Sequence, residues 1–583
     1  MSITSHRRNT AVRSSAAAVN TDKRFDVIVI GSGPSGSMAV KELTERGLDV
    51  LLLEAGRELR EEDFRPPKPK KPAPMGMDLV ARAAAMATGQ PYQARRPFFS
   101  DYTSRFLVND LDDPYSHPLG QPYLWIRGKV LGGRMHSYGR VLQRMSDIDF
   151  TAASRDGHGA DWPIEYADLE PWYRRVEETV GVYGDVDGLT HPPDGVYRGP
   201  GSLTSVERDF KERIEVRWPE RRVISWRVQA PFPDRLPPGI AAAKKTGRLT
   251  IRADAVVNHI LTDPRTGLAT GVTFLDRNQR REHRAHADVV VLCASPIESI
   301  RLLLNSGSTR HPDGLGNSSG LLGRYFMDQT ISVGFFDCPR YRGVWETPDN
   351  IPADPLYGAP GGFLIPRYDN IGPRVEPGFL RGISYQGLGG RIPVPEGHPA
   401  AFGVGGFGEM LARYDNSVTL NRRRRDKWGI PIPHIDLSTG DNDRILLRRM
   451  MGDLRDMADE AGLRTNFIGS AAGLDSAKVW PDFTPLQRLV FKRGMRMSIV
   501  LGAAIHECGG ARMGNDPKLA VVNGVNQLWD APNVFVPDAA SFVSSSTVGP
   551  VLTIMALATR AAAFIADQHG HGVLQRPTDA ATL

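Results

Sequence analysis

The chain is short of cysteine, of long apolar runs and of net charge, and each shortage closes off a class of protein. Three cysteines in 583 residues (Cys293, Cys338, Cys508) are too few, and odd in number, for a disulfide framework, so a reducing, cytoplasmic setting is expected. No stretch reads as a membrane span. A formal net charge of +6 is small for this length, and no nucleic-acid-binding motif accompanies it. There are no internal repeats. Residues 1–23 are rich in Ser, Ala and Arg, and Arg7-Arg8 invites comparison with an export signal. The apolar segment that should follow is missing, so these residues read as a disordered tail. Hydrophobic content of 41% and charged content of 24% are those of an ordinary globular protein, and the length calls for two domains.

Against these absences stands one dense signal. Phe25-Asp26-Val27-Ile28-Val29-Ile30 runs into Gly31-Ser32-Gly33-Pro34-Ser35-Gly36, and the second apolar run Val50–Leu53 ends in Glu54. The spacing predicts strand, glycine turn, helix and second strand. Gly31 allows the tight turn, Gly33 lets the backbone approach a pyrophosphate, and Gly36 lets helix and strand pack closely. The helix N-terminus offers free N–H groups and a positive dipole end to phosphate, and Glu54 stands where a carboxylate accepts hydrogen bonds from a ribose. The pattern predicts an ADP-containing cofactor in a Rossmann-like α/β domain.

Further along, Gly132-Gly133 sits inside the apolar run from Trp125, which suits a close backbone approach but equally a plain tight turn. Runs at 248–257, 271–274 and 288–293 read as strands that resume the first sheet, followed by a helix over Ser299–Asn305. From about 326 to 495, Gly/Pro-rich segments alternate with short strands. Leu446, Met450, Leu454 and Met457 lie at helical spacing and read as core. The proline-rich segment 65–72 reads as a solvated extended loop rather than a basic docking site, and Arg422–Arg425 as a solvated hairpin.

A second concentration lies near the C-terminus. His506-Glu507-Cys508-Gly509-Gly510 is followed by the apolar run Val534–Val536, which delivers Asp538 to a sheet edge, and by an apolar helix opened by Pro550. His506 beside Cys508 lacks the second ligand pair of a metal site, so no metal is assigned, and Cys508 has no partner that would make it a nucleophile. On residue type alone, His506 is more readily structural than catalytic.

Together these blocks (Gly31 to Glu54-Ala55-Gly56, Gly132-Gly133 with Ser137-Tyr138-Gly139-Arg140, and His506 to Ala558) resemble the glucose–methanol–choline (GMC) oxidoreductases over nearly the whole chain. Asp161-Trp162-Pro163-Ile164 and Phe407-Gly408-Glu409-Met410 are most similar to its sugar-oxidising branch of bacterial pyranose and glycoside oxidases and dehydrogenases. The resemblance implies FAD as cofactor, bound by a discontinuous domain over 24–175, 241–325 and 496–583. It implies an α+β substrate domain with an antiparallel sheet over 176–240 and 326–495. Carried over by position, His506 takes a hydroxyl proton while the carbon-bound hydride passes to flavin N5, with an imidazole titrating near neutrality. The same carry-over gives Gly31, Gly33, Ser35, Gly36, Glu54, Ala55, Gly132, Gly133 and Ser137 to cofactor binding. Val256 is given to the adenine, Asp538 to the ribityl chain, and the Val551 N–H to the flavin pyrimidine oxygens.

Two departures from the family pattern carry expectations of their own. Where relatives place a second His or Asn before the proline of the tail helix, this chain has Gly549, so the substrate hydroxyl needs another partner, with Ser546, Thr547 or water as candidates. Loss of such a partner costs about 2–4 kcal/mol of transition-state stabilisation if nothing replaces it. Where covalent relatives carry a histidine, this chain has Ser137, which predicts non-covalent FAD; His136 is shifted by one and would point away on a strand. The expected activity is oxidation of a secondary alcohol on a sugar or glycoside, with oxygen or another electron acceptor and a homo-oligomer left open. The alternatives are a biosynthetic oxidase of a glycosylated or polycyclic alcohol and a non-redox lyase-type role.

Overall fold

A computed structural model describes residues 23–65, 79–96, 99–232, 235–354, 360–372, 378–475, 483–569, 571 and 574. The tail expected over 1–23, apart from Lys23, and nearly all of the proline-rich segment lie outside the described residues.

Two sheets divide the chain. The first is built on β1 (Arg24–Ile30), β2 (Val50–Leu53), β3 (Leu249–Arg252), β4 (Ala255–Thr262), β5 (Ala269–Asp276) and β6 (Glu282–Leu292). Their order is β3-β2-β1-β6-β5-β4, and the short strand Val534–Phe535 adds parallel to β6. The β3-β2-β1-β6 half is parallel and the β6-β5-β4 half antiparallel. Val27 to Ile30 and Val50 to Leu53 are buried on both faces, which is why these strands read as unbroken apolar runs. Helix α1 (Pro34–Glu45) follows the glycine turn, and α2 (Pro296–Asn305) follows β6 and includes the expected 299–305 segment.

The second sheet is antiparallel throughout. It contains β7 (Gln329–Arg342), β8 (Phe363–Ile365), β9 (Ile383–Gly389), β10 (Pro399–Glu409) and β11 (Arg464–Ser470), in the order β11-β7-β10-β9-β8. The short strand Ile224–Ser225 joins it beside β8. Helix α3 (Asp441–Glu460) covers one face: Leu446, Met450, Leu454 and Met457 are fully buried against Phe336, Phe402 and Val404. The opposite face looks into the central cavity. Arg422–Arg425 is exposed at the end of a two-stranded hairpin, as its charge predicts.

Helix α4 (Val551–Gln568) corrects one expectation. It is long and apolar enough, by length and composition, to cross a membrane. Its apolar residues are instead core: Met555, Ala558, Ala561, Ala562 and Ile565 are buried, and the helix packs along α1.

Candidate active site

A cavity of about 750 Å³ runs from the glycine turn at the end of β1 to the open face of the second sheet. Its first end is made of backbone. Gly31 has φ +99°, and a Cβ there would lie 2.3 Å from the Cys293 carbonyl oxygen. A Cβ on Gly36 would lie 1.9 Å from the Gly31 oxygen, so that glycine is demanded by the packing of helix on turn. Gly33 differs. A Cβ there meets no protein atom within 4 Å, so the protein itself does not require its absence. Gly33 is the N-cap of α1 and offers no side-chain cap; the first helical position is Pro34, and Ser35 after it lines the cavity. Space beside Gly33 and an uncapped helix end fit a pyrophosphate.

Around this end the other cofactor candidates gather. The Glu54 carboxylate accepts from the Ser32 N–H (3.1 Å), the Ser32 hydroxyl and the Gly56 N–H (2.7 Å), while burial raises its pKa. Oε2 takes both Ser32 bonds, whereas Oε1 accepts only from Gly56 and keeps a lone pair for a ribose hydroxyl. Ala55 and Val256 line the same end, and Val256 packs with Trp428 and Ile430 into an apolar slot fit for a purine. Ser35 donates to the Pro537 oxygen (3.0 Å), tying α1 to the segment that carries Asp538 just beyond the strand Val534–Phe535. Asp538 accepts from the Ser299 hydroxyl (2.6 Å) and the Ala540 N–H (2.9 Å), and burial pushes its pKa up to about 6. Gly132 (φ +93°) and Gly133 (φ +55°) need their glycines for conformation. Gly133 faces the cavity beside Gly33, whereas Gly132 donates to Ser32 and supports the turn from outside. Gly36 likewise supports rather than lines.

Ser137 lines the cavity and His136 does not. His136 lies in a 3-10 turn, Gly133–His136, rather than on a strand, and its ring packs against Phe106, 5.7 Å between centroids, with Nε2 on the Leu131 oxygen. The helix α4 begins at Val551, also without a side-chain cap, so its N-terminal N–H groups face the cavity and favour developing negative charge there.

His506 stands between the two ends. Its N–H donates to Asp328 Oδ1 (3.0 Å) and its Nδ1 contacts Gln329 Oε1 at 2.6 Å. The Gln329 amide nitrogen donates to the Ser546 and Val548 carbonyl oxygens, both at 2.9 Å, so the amide cannot be reversed and its oxygen must face the imidazole. Nδ1 therefore carries the proton, and Nε2 holds a free lone pair on the cavity side. A Cβ on Gly549 would lie 3.7 Å from Nε2, which locates the open space in front of it. The preceding Ile505 has φ +63°, a costly conformation for a β-branched residue, in the turn that presents the ring. Burial, with Arg134 next, pushes the imidazole down to about 3, so it is neutral at physiological pH and does not titrate near neutrality as expected from sequence. Ser546 and Thr547 do not replace a polar group at Gly549. Ser546 donates to Asp149 Oδ1 (2.7 Å), both side chains are fully buried, and neither lines the cavity.

Asp328 and Gln329 were not legible as site residues. Asp328 precedes β7 and Gln329 opens it, and the signal that could have drawn notice was the polar run Asp328-Gln329-Thr330 before Ile331, Val333 and Phe335.

Two family models described as GMC oxidoreductase match residues 240–331 and 412–558, and one described as FAD binding domain matches residues 24–65. The chain belongs to the GMC oxidoreductase family. This GMC oxidoreductase is an FAD-dependent enzyme that acts on CH–OH groups. It is 28% identical to 2-methyl-1,2-propanediol dehydrogenase of Mycolicibacterium austroafricanum, over 95% of this chain and 97% of that one. It is 26% identical to the fructose dehydrogenase large subunit of Gluconobacter japonicus (92% and 97%) and to paromamine 6'-oxidase of Streptomyces fradiae (94% and 92%). Among solved structures, the GMC oxidoreductase fold is shared with pyridoxine 4-oxidase from Mesorbium loti (TM-score 0.60, 19% identity, 94% and 99% covered). A formate oxidase shares it as well (TM-score 0.63, 15% identity, 94% and 99% covered).

Proposed function

We propose that this enzyme oxidises a secondary alcohol on a sugar or glycoside to the ketone, with His506 Nε2 as the base. The observation that carries the reading is the fixed tautomer: Gln329 holds the proton on Nδ1, and the lone pair on Nε2 faces the space beside Gly549. Bound FAD supplies the acceptor for the two electrons and the hydrogen of the C–H bond. His506 receives the hydroxyl proton as those electrons leave. The oxygen becomes a far stronger acid during that change, so a neutral, weakly basic imidazole suffices and no free alkoxide precedes it. Asp328 fixes the backbone of His506, and the Arg134–Glu507 ion pair (2.7 Å) anchors the loop behind it. The fructose- and paromamine-oxidising relatives support a carbohydrate carbinol.

The test is anaerobic reduction of the bound flavin by a reactive alcohol. His506→Ala should keep its FAD and lower the reduction rate by roughly 10²–10⁴-fold; an unchanged rate would remove His506 from the chemistry. The Ser137 hydroxyl gives no histidine-type link, so FAD held non-covalently should be released intact when the protein is denatured in acid. Flavin that stays with the precipitate would overturn that part of the reading.

A further inference from the structure

The face of the second sheet that looks into the cavity is a small grid, and its composition bears on the substrate. Strand register sets Ile331 beside Phe407 and Ser384 in the row next to His506. The middle row is Val333, Gly405 and Gln386, and the outer row Phe335, Gly403 and Leu388. Of these only Ser384 does not line the cavity; its hydroxyl is spent on the Thr547 carbonyl oxygen (2.7 Å). The middle strand thus has no side chain for two successive rows. Val333 and Phe335 stand on one side of that bare stretch and Gln386 and Leu388 on the other, about 10 Å apart across two strand spacings. Phe407 closes one end of the trench: its ring reaches over Gly405, 3.3 Å from where a Cβ there would stand, and lies 5.6 Å from the His506 imidazole, centroid to centroid.

A floor of this kind offers area rather than hydrogen bonds. Gln386 is the one polar side chain on it, and its amide has no hydrogen-bond partner among the described residues. Trp226 also lines the cavity, and its indole N–H is buried without a partner among the described residues. A bare sugar pressed on this face would lose water from several hydroxyls and regain one or two bonds. A planar apolar body would cover Gly403, meet the edge of the Phe407 ring where it overhangs Gly405, touch the apolar walls edge-on and use Gln386 for a single polar substituent.

We propose that the trench over Gly403 and Gly405 binds a flat, apolar aryl or fused-ring body joined to the carbinol, so that the substrate is an alcohol or glycoside carried on such a body and not a free sugar. This rests on the reading of His506 as the base, since Phe407 ties the trench to that ring. The rival occupant of the trench is the isoalloxazine of the cofactor itself, which a titration of the FAD-loaded enzyme decides.

The experiment is calorimetric titration of the holoenzyme with three probes: methyl β-glucoside, 2-naphthyl β-glucoside and 2-naphthamide, which has no carbinol. The naphthyl glucoside should bind at least about 30-fold more tightly than the methyl glucoside, as expected for burial of a bicyclic apolar group, and 2-naphthamide should bind as well. Gly405→Leu, which fills the trench, should abolish that preference while FAD content is kept. Leu388→Gln, in the row farthest from His506, should reduce it about tenfold by making one wall polar and serves if the first variant does not fold. Equal affinity for the two glucosides, no binding of 2-naphthamide, or a preference that survives Gly405→Leu overturns the proposal. His506→Ala separates this from the base assignment: it should leave 2-naphthamide binding intact. Retained binding with an unchanged reduction rate sinks the base alone, and lost preference with a lowered rate sinks the trench alone.

Discussion

The two ends of the cavity are built by different means. At the Gly31 end the recognising groups are backbone N–H donors, two uncapped helix ends and carboxylates already held by their own chain. At the sheet end they are side chains on alternate positions of three strands, two of them reduced to hydrogen. A backbone cradle accepts one kind of group, a phosphate or a flavin edge, and tolerates little change. A strand face is rewritten by single substitutions without disturbing the ladder, so it is where substrate preference can differ between relatives that share the fold.

The largest effects should come from the first end, and they divide by what each glycine faces. Gly36→Ala places a Cβ 1.9 Å from a backbone oxygen that cannot move without opening the turn. Protein carrying it should be recovered with little or no flavin and a lowered melting temperature. Gly33→Ala meets no protein atom, so its apoprotein should melt like the parent while FAD affinity falls by roughly 10–100-fold, the equivalent of about 1.4–2.7 kcal/mol. Absorbance ratios of flavin to protein and melting of the apo forms check both. If Gly33→Ala binds FAD like the parent, the open space beside Gly33 is not the pyrophosphate site.

The same division explains what could be read from the sequence. Gly31 to Glu54 is a local pattern, because one strand, one turn and one helix complete it within about thirty residues. Asp538 and Val551 could be placed because each follows a short apolar run or a proline with a fixed role. The trench has no such local mark. Gly405 becomes a gap between Val333 and Gln386 only once three strands spread over some eighty residues are put in register, and a shift of one residue would turn Val404 to the cavity instead. Gln329 was invisible for a related reason: its importance lies in the carbonyls of Ser546 and Val548, more than two hundred residues away. The depressed pKa of His506 was equally hidden, since it comes from burial rather than from any neighbour in sequence.

A smaller effect tests the link between the two ends. Gln329→Leu removes the acceptor that holds the Nδ1 proton while leaving the trench and the cofactor end untouched. Its flavin-reduction rate should drop on the order of 10–100-fold with substrate affinity nearly unchanged, as expected when a catalytic imidazole loses its preferred tautomer. Gln329→Glu restores an acceptor and should recover part of that rate. It should also raise the imidazole pKa by placing a carboxylate beside Nδ1, so an acid limb should appear at higher pH than in the parent. A merely structural Gln329 would show neither the split nor the limb.

The smallest expected effect is the absence of an acid limb from His506 itself. With its pKa pushed down to about 3, His506 stays neutral from about pH 5 upward, so the imidazole itself should add no acid limb to the rate of flavin reduction near the ordinary histidine value. The accompanying stability effect has a definite sign. The folded imidazole resists a proton that the unfolded one accepts near 6.5, so its contribution is complete above that pH and is lost as pH falls toward 3. Asp328 works the other way: burial, with Glu507 next, raises it to about 7, so its contribution is complete below the unfolded carboxyl value and is lost as pH rises through 7. Melting curves of His506→Ala and the parent should therefore converge above pH 6.5, apart from a constant offset, and move in the variant's favour below it. A parent that melts no earlier than the variant relative to that offset at pH 5 would mean that the imidazole is more open to water than its place between the glycine turn and the sheet floor implies.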